Sequence, residues 1–261
     1  MEARSYIPQP EVNVQYMVSS YGAGMGLIGA LVDASVNAAK AGSAESRAKR
    51  IREAVKDHDF RGHYWLAISN VLTATPWLQI HSFSGVPSNT TPVKASTVAH
   101  GSVFNLGTDY VITPDHRVFE VITGVSVFVT GKHKKPAAAN RLAYHSARIG
   151  KEEGDKAAAI WIADNGAAYR TAAAEGVEES ARLLQHALAH MSGVTNSAAR
   201  AAKVKADFVH GRGDFGIPVG RVAIKGVVLE ETPQRVIFQA PPGNLFSLPR
   251  SEVEITYLKS K

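Results

Sequence analysis

The chain has 261 residues, 45% of them hydrophobic, with 22 glycines and 12 prolines scattered along it, a composition that suits a conventional core and excludes collagen-like, linker-like and disordered classes. The excess of 29 Lys and Arg over 23 Asp and Glu leaves a formal charge of +6, a mild bias that invites anionic partners without naming one. The absence of cysteine excludes thiol catalysis, disulfides and cysteine-held metals, and it suits a reducing cytosol and an oxidising periplasm alike.

The start, "MEARSYIPQP", shows no basic segment followed by an apolar one, so an export signal is not expected within it. The uncharged run from Val12 to Val32 contains Asn13, Gln15, Ser19, Ser20 and several glycines. A bilayer core needs about 20 predominantly apolar residues, so no transmembrane span is expected. Within that run "GMGLIG" spells GxGxxG at Gly24, Gly26 and Gly29. A dinucleotide site would need a strand before the glycines and a second parallel strand soon after, with an acidic residue about 20 positions on. Glu45 has the spacing but sits in a helical, charged segment, and the next strand signal begins near Leu78. Gly22, Gly26 and Gly29 are therefore read as small residues that let a helix over about Leu27–Lys40 pack closely, and no cofactor is expected.

"AESRAKRIREAVKDH" continues or restarts that helix, with Ala48, Ile51 and Val55 inward and Arg47, Lys49, Arg50 and Arg52 outward. "RGHYWLAISNVLTATPW" reads as a short helix stopped before Pro76. "LQIHSFSG" reads as a strand, and after the loop "VPSNTTPVKAST" the segments "SVFNLGTDYVIT", "RVFEVITGVSVFVTG" and "RLAYHSARIG" form an antiparallel meander. The middle strand is apolar on both faces, as expected of a central or doubly covered strand. "DKAAAIWIADNGAAYRTAAAEGVEESARLLQHALAHM" predicts a short helix, a turn at Asp164-Asn165-Gly166 and a long amphipathic helix. In that helix Tyr169, Ala172, Ala173, Val177, Ala181, Leu184, Leu188 and Met191 face inward, and Glu175, Glu178, Glu179 and Arg182 outward. Residues 196–216 read as a connector, and 217–261 as short strands with turns at "EETPQ" and "APPGN". The expected architecture is α+β: a domain over 1–195 in which long amphipathic helices pack an antiparallel or mixed sheet, followed by a small all-β module.

Chemistry-bearing clusters are sparse. "KDHDFRGH" places His58 and His63 five apart, not at the i,i+4 spacing of a helical zinc pair, so no metal site is expected and a polar helix end is preferred. Asp115 and His116 in "PDHR" read as a turn. "FVHGRGDFG" gathers His210, Arg212 and Asp214 around glycines; it reads as a hinge or exposed loop, with His210 and Asp214 the weak candidates for acid–base work. The sequence contains no GxSxG, Walker loop or HExxH pattern. Lys132, Lys134 and Lys135 in "GKHKKP", together with Arg212, are candidate contacts for an anion or a partner. Aromatic residues are not interleaved with them, which argues against nucleic-acid readout.

The segments "GLIGALVDASVNAAKA", "VKDHDF", "DYVITPDHRVFEVITGVSVFV", "YHSARIG" and "WIADNGAAYRTAAAEGVEESARLLQHAL" together resemble the mature part of uncharacterised Gram-negative lipoproteins, and "GNLFSLPRSEVE" resembles their terminal β-module. More remotely, the order of elements is similar to the α/β domains of the curli-secretion lipoprotein and the N-terminal domain of the Tol-system propeller protein. Met1 stands where such a mature protein carries its lipid-bearing cysteine. The resemblance implies a periplasm-facing, lipid-anchored, non-enzymatic module that binds a protein partner or an anionic envelope surface, lipid head groups or lipopolysaccharide. Two readings from other classes stay open: a hydrolase-like enzyme using His210 and Asp214, or His100 and Asp109, in a cleft, and a cytosolic phosphate- or nucleic-acid-binding protein.

Overall fold

A computed structural model describes residues 1–14, 42–43, 45–86, 101–129, 136–194, 196–208 and 220–258. The glycine-rich segment holding Gly22, Gly26 and Gly29 lies outside the described residues.

Helix α1 covers residues 45–55 and buries Ala48, Ile51 and Val55, the row expected from their spacing. Helix α2 (Phe60–Thr73) starts at Asp59, whose carboxylate accepts the Gly62 N–H at 2.9 Å and so satisfies one of the unpaired amides of the first turn. It stops because Pro76 forces Thr75 into extended geometry, φ −104° and ψ 93°. Helix α3 (Asp155–Met191) is two helices joined by a sharp break. Ala163 is extended, and Asp164, Asn165 and Gly166 are left-handed with φ of 50°, 56° and 75°. Asx residues and glycine tolerate that region best, so the turn is written into these three positions. A Cβ on Gly166 would also fall 2.6 Å from Val55, so the same glycine lets α1 approach the break.

The strands form one mixed sheet of eleven. Its order is β11-β7-β8-β9-β10-β6-β5-β4-β1-β3, with β2 (Asn13–Val14) beside β4. At one end β1 (Glu2–Tyr6) lies parallel to both β3 (Ser82–Val86) and β4 (Ser102–Ile112). β4, β5 (Phe119–Val129) and β6 (Ala138–His145) are the antiparallel meander that the alternating apolar pattern implied. β6 then pairs in parallel with β10 (Asn244–Pro249) through Leu142–Leu245, Ala143–Phe246 and Tyr144–Ser247. From β10 the sheet continues antiparallel through β9 (Arg235–Ala240), β8 (Gly220–Glu231) and β7 (Arg200–Phe208) to β11 (Glu254–Tyr257).

The expected α+β fold with a separate all-β module is therefore corrected. The molecule is mainly β, one large sheet with three helices among the described residues, and its terminal strands continue the sheet they were expected to follow. The physical reason is the β6–β10 pairing, which joins positions about a hundred residues apart and leaves no trace in local periodicity. Residues 200–208, read as part of a connector, form β7, because Ala202, Val204, Ala206 and Phe208 alternate with exposed residues and are all buried.

Two cores lie on opposite faces. The larger lies under the helices, where Phe60 stacks on Tyr110 at 4.2 Å between ring centres and Tyr169 meets Phe119 edge-on at 5.4 Å. Inside it the hydroxyls of Tyr64, Thr108 and Thr123 close a buried triangle of 2.6, 3.0 and 3.0 Å, and burial pushes the Tyr64 phenol up to about 12. The smaller core gathers Val204, Phe208, Val236, Phe238, Phe246 and Leu248, joined by Ala143 of β6. Alternation makes this possible: Leu142 and Tyr144 point into the first core and Ala143 into the second. Among the described residues no helix is long and apolar enough to cross a membrane.

Gly226 of β8 marks the tightest approach in the smaller core. A Cβ there would lie 2.2 Å from the Gln239 carbonyl oxygen and 2.6 Å from the Phe238 ring. Gly226→Ala is expected to cost about 1–3 kcal/mol in urea unfolding. Gly107→Ala, where a Cβ meets nothing within 4 Å, is expected to leave the midpoint unchanged; equal midpoints for the two variants would disprove the close β8–β9 contact.

Candidate functional site

The seam between the two halves of the sheet is held by one arginine. Arg235 opens β9, where Thr232 fixes the preceding turn by accepting the Arg235 N–H on its hydroxyl at 2.9 Å. Its guanidinium is buried and donates to four partners on three other elements: the Ser247 hydroxyl at 2.8 Å and carbonyl at 2.8 Å on β10, the His145 carbonyl at 2.6 Å on β6, and Glu175 at 2.8 Å on α3. The Ser247 hydroxyl in turn donates a hydrogen bond to Glu179 at 2.5 Å. The Arg235 guanidinium also lies 4.6 Å over the Tyr144 ring, whose hydroxyl donates to Glu175 at 2.8 Å. Burial and the neighbouring Glu175 charge push that phenol well above its ordinary value. Arg182 extends the network by bridging Glu179 and Glu230.

This corrects the expectation for α3. Glu179 is 5% exposed and Glu175 sits half-buried beside Arg235, while Glu178 alone of the three acids is exposed. The helix is covered on a second side by the terminal strands, so residues that a one-sided amphipathic pattern turns to water meet a partner instead.

Beyond the seam a small, shallow cleft opens between the end of β6 and the strands β7 and β10. Its lining includes His145, Ser146, Arg148, Asp207 and Glu252. His145 stands 3.7 Å from the fully buried Glu120 carboxylate. A histidine beside an acid and a serine suggests nucleophile activation, but the geometry directs the serine elsewhere: Ser146 accepts the Phe119 N–H at 2.9 Å and donates to the Ala147 carbonyl at 3.1 Å. Arg148 pairs with Asp207, and its N–H donates to Glu252 at 2.7 Å. The cleft thus clamps β6 to β7 and to the short 3-10 turn over Arg250–Glu252.

The outward face of β8, β7 and β11 is basic. In register, Lys203 stands opposite Lys225 on β8 and Thr256 on β11; Lys205 stands opposite Ala223 and Glu254; Asp207 stands opposite Arg221. Lys203, Lys205, Arg221 and Lys225 are exposed. Glu254 pairs with Arg221 at 2.9 Å and Lys205 at 3.2 Å, which holds its carboxyl below the usual range. No carboxylate of the described residues pairs with Lys203 or Lys225. Like charges directly across a strand pair are destabilising, so this pair weakens the sheet unless something anionic meets it.

His210, Arg212, Asp214, Lys132, Lys134, Lys135 and His100 lie outside the described residues, and Asp109 sits in β4 opposite Ile122. His58 and His63 are within 5.5 Å of each other, but Asp57 is engaged by Arg170 at 2.6 Å and Asp59 caps α2. Among the described residues no group of three or more His, Asp or Glu is placed to hold a metal. The basic face was missed although its signal is present: "AAKVKADF" alternates small apolar residues with Lys203 and Lys205 at period two.

Arg235→Met is expected to cost about 3–5 kcal/mol in chemical denaturation, because it takes the donor from Glu175 and from the Ser247 and His145 carbonyls and leaves Glu179 with the Arg182 counter-charge alone. Adding Glu179→Met should recover part of that loss; a double variant no better than the single one would show that the arginine acts through packing alone. A second test concerns His116, buried in the β4–β5 turn at φ 60°, with Nδ1 3.0 Å from the Pro114 carbonyl and its own carbonyl accepting Trp161 Nε1–H at 2.7 Å. Burial, followed by the nearby Arg47 charge, holds the imidazole below its ordinary value. The unfolded chain therefore binds the proton first, and stability present above about pH 6.5 is lost as pH falls. His116→Asn, which tolerates the left-handed backbone, should give a shallower decline of the urea midpoint between pH 7 and 5, on the order of that interval. An unchanged slope would remove His116 from the acid response.

No protein-family model, no curated protein and no solved structure matches the chain.

Proposed function

We propose that the chain is a non-enzymatic binding or assembly module of the Gram-negative envelope, facing the periplasm. It works by presenting the outer face of β7, β8 and β11 to another protein or to an envelope component, with no bond-making step. The observation that carries this reading is the Lys203–Lys225 pair, set opposite each other on an exposed sheet face with no acid among the described residues paired to either. A face built that way is less stable alone than when covered, which is the energetic signature of a surface meant to be met. Its backing is rigid, because the inward residues of the same strands fill the smaller core. The seam at Arg235 ties that core to α3, so contact at the face is borne by the whole molecule. The envelope setting is supported by the resemblance of the segments quoted above.

The test is fractionation of the full chain with isolated Gram-negative envelopes. The native protein is expected to sediment with the envelope, and Lys203→Glu with Lys225→Glu to shift most of it to the supernatant while the unfolding midpoint holds. Equal sedimentation of the two proteins would refute this use of the face.

A further inference from the structure

We infer that the face of β7, β8 and β11 docks on the phosphate head groups of an anionic bilayer surface. This deepens the preceding reading and rests on its premise that the face is a binding surface. Pleated strands lie about 4.8 Å apart and repeat a face every second residue, about 7 Å along the strand, so Lys203, Lys205, Arg221 and Lys225 stand on one open sheet face and not around a pocket. Around them stand the short side chains of Ala201, Ala223, Val227 and Thr256, with the acids Asp207 and Glu254 at the Arg221 end of the face. A flat array of mobile point charges fits a flat array of phosphates, whereas recognition of a single ligand would need a concave set of donors.

A second observation concerns the rim. The chain leaves β11 at Leu258, whose N–H bonds the Ala201 carbonyl at 2.9 Å and which shares the face of Thr256 by alternation. Leu258 is 42% exposed. An apolar side chain at the edge of a cationic plane supplies the two signals that surface attachment requires, charge attraction and insertion at the head-group level. Nucleic acid is the poorer fit. Binding a strand needs aromatic rings on which bases stack, and the other positions of this face on β7, β8 and β11 are Ala201, Ala223, Val227, Thr256, Asp207 and Glu254, none of them aromatic. Glu254 tempers Lys205 and Arg221, so Lys203 and Lys225 are the pair on which attachment turns.

The experiment is co-sedimentation of the full chain with vesicles of phosphatidylcholine alone and of equal parts phosphatidylcholine and phosphatidylglycerol, alongside a gel shift with duplex DNA. Binding to the anionic vesicles alone is expected, falling as salt is raised through the range that shortens screening to about 10 Å and below. Lys203→Glu with Lys225→Glu should weaken it about tenfold or more, Lys203→Gln with Lys225→Gln by less, and Leu258→Ser severalfold. Absence of anionic-vesicle binding overturns the inference, as does binding that the lysine variants leave intact. If vesicles are not bound but envelope sedimentation still depends on Lys203 and Lys225, the lipid inference falls and the binding-module reading survives with a protein partner. If neither depends on the pair, both fall. A gel shift without vesicle binding replaces the lipid with nucleic acid.

Discussion

The geometry of the molecule turns on a guanidinium taken out of water. Arg235 reaches β6, β10 and α3 from the first residue of β9, and each of its bonds ends on an element that the others need held in place. Burying such a charge is unfavourable by several kcal/mol unless its donors are satisfied with good geometry, so the partners are as constrained as the arginine. Glu175 and Glu179 must lie one helical turn apart on α3, Ser247 must relay between Arg235 and Glu179, and the His145 carbonyl must be free of the ladder on that side. The parallel β6–β10 register brings the His145 carbonyl and Ser247 within reach of Arg235 together.

From that register follows the two-sided sheet. Because successive side chains alternate, β6 serves the helical core with Leu142 and Tyr144 and the smaller core with Ala143, and β10 does the same with Leu245 and Phe246. The terminal strands then spend their inward residues on their own core, and their outward residues are left to water and to whatever meets them. The clamp formed by Arg148, Asp207 and Glu252 keeps β7 aligned with the end of β6. The cationic face itself is set by the β7–β8 register, which puts Lys203 opposite Lys225 and carries Lys205 and Arg221 on the same side. With the Ser146 hydroxyl committed to backbone, the same cleft serves as a joint.

Legibility varied by element for physical reasons. The break at Asp164-Asn165-Gly166 was readable because left-handed backbone selects those residue types whatever surrounds them. The end of α2 was readable because proline restricts the residue before it. The meander was readable from period-two alternation. β1 was not, since its inward residues are only Ala3 and Ser5, too small to register as a hydrophobic pattern. β7 was passed over for the same reason, its small apolar residues diluted by lysine. Lys203 and Lys225 could be seen as basic residues, but their opposition across a strand pair depends on a register that turn and loop chemistry did not specify.

What the amino-acid order determined by itself was local: where helices start and stop, where the backbone turns left-handed, which strands alternate, and that no thiol chemistry is open to a chain without cysteine. Those features depend on interactions within a few residues. Tertiary structure alone decided that eleven strands form one sheet, that Glu179 is buried against Arg235, and that four cations share a face. Each of those depends on pairing between distant segments, where burial on both faces of a strand or helix reverses what a one-sided pattern implies, and no window of neighbouring residues records it.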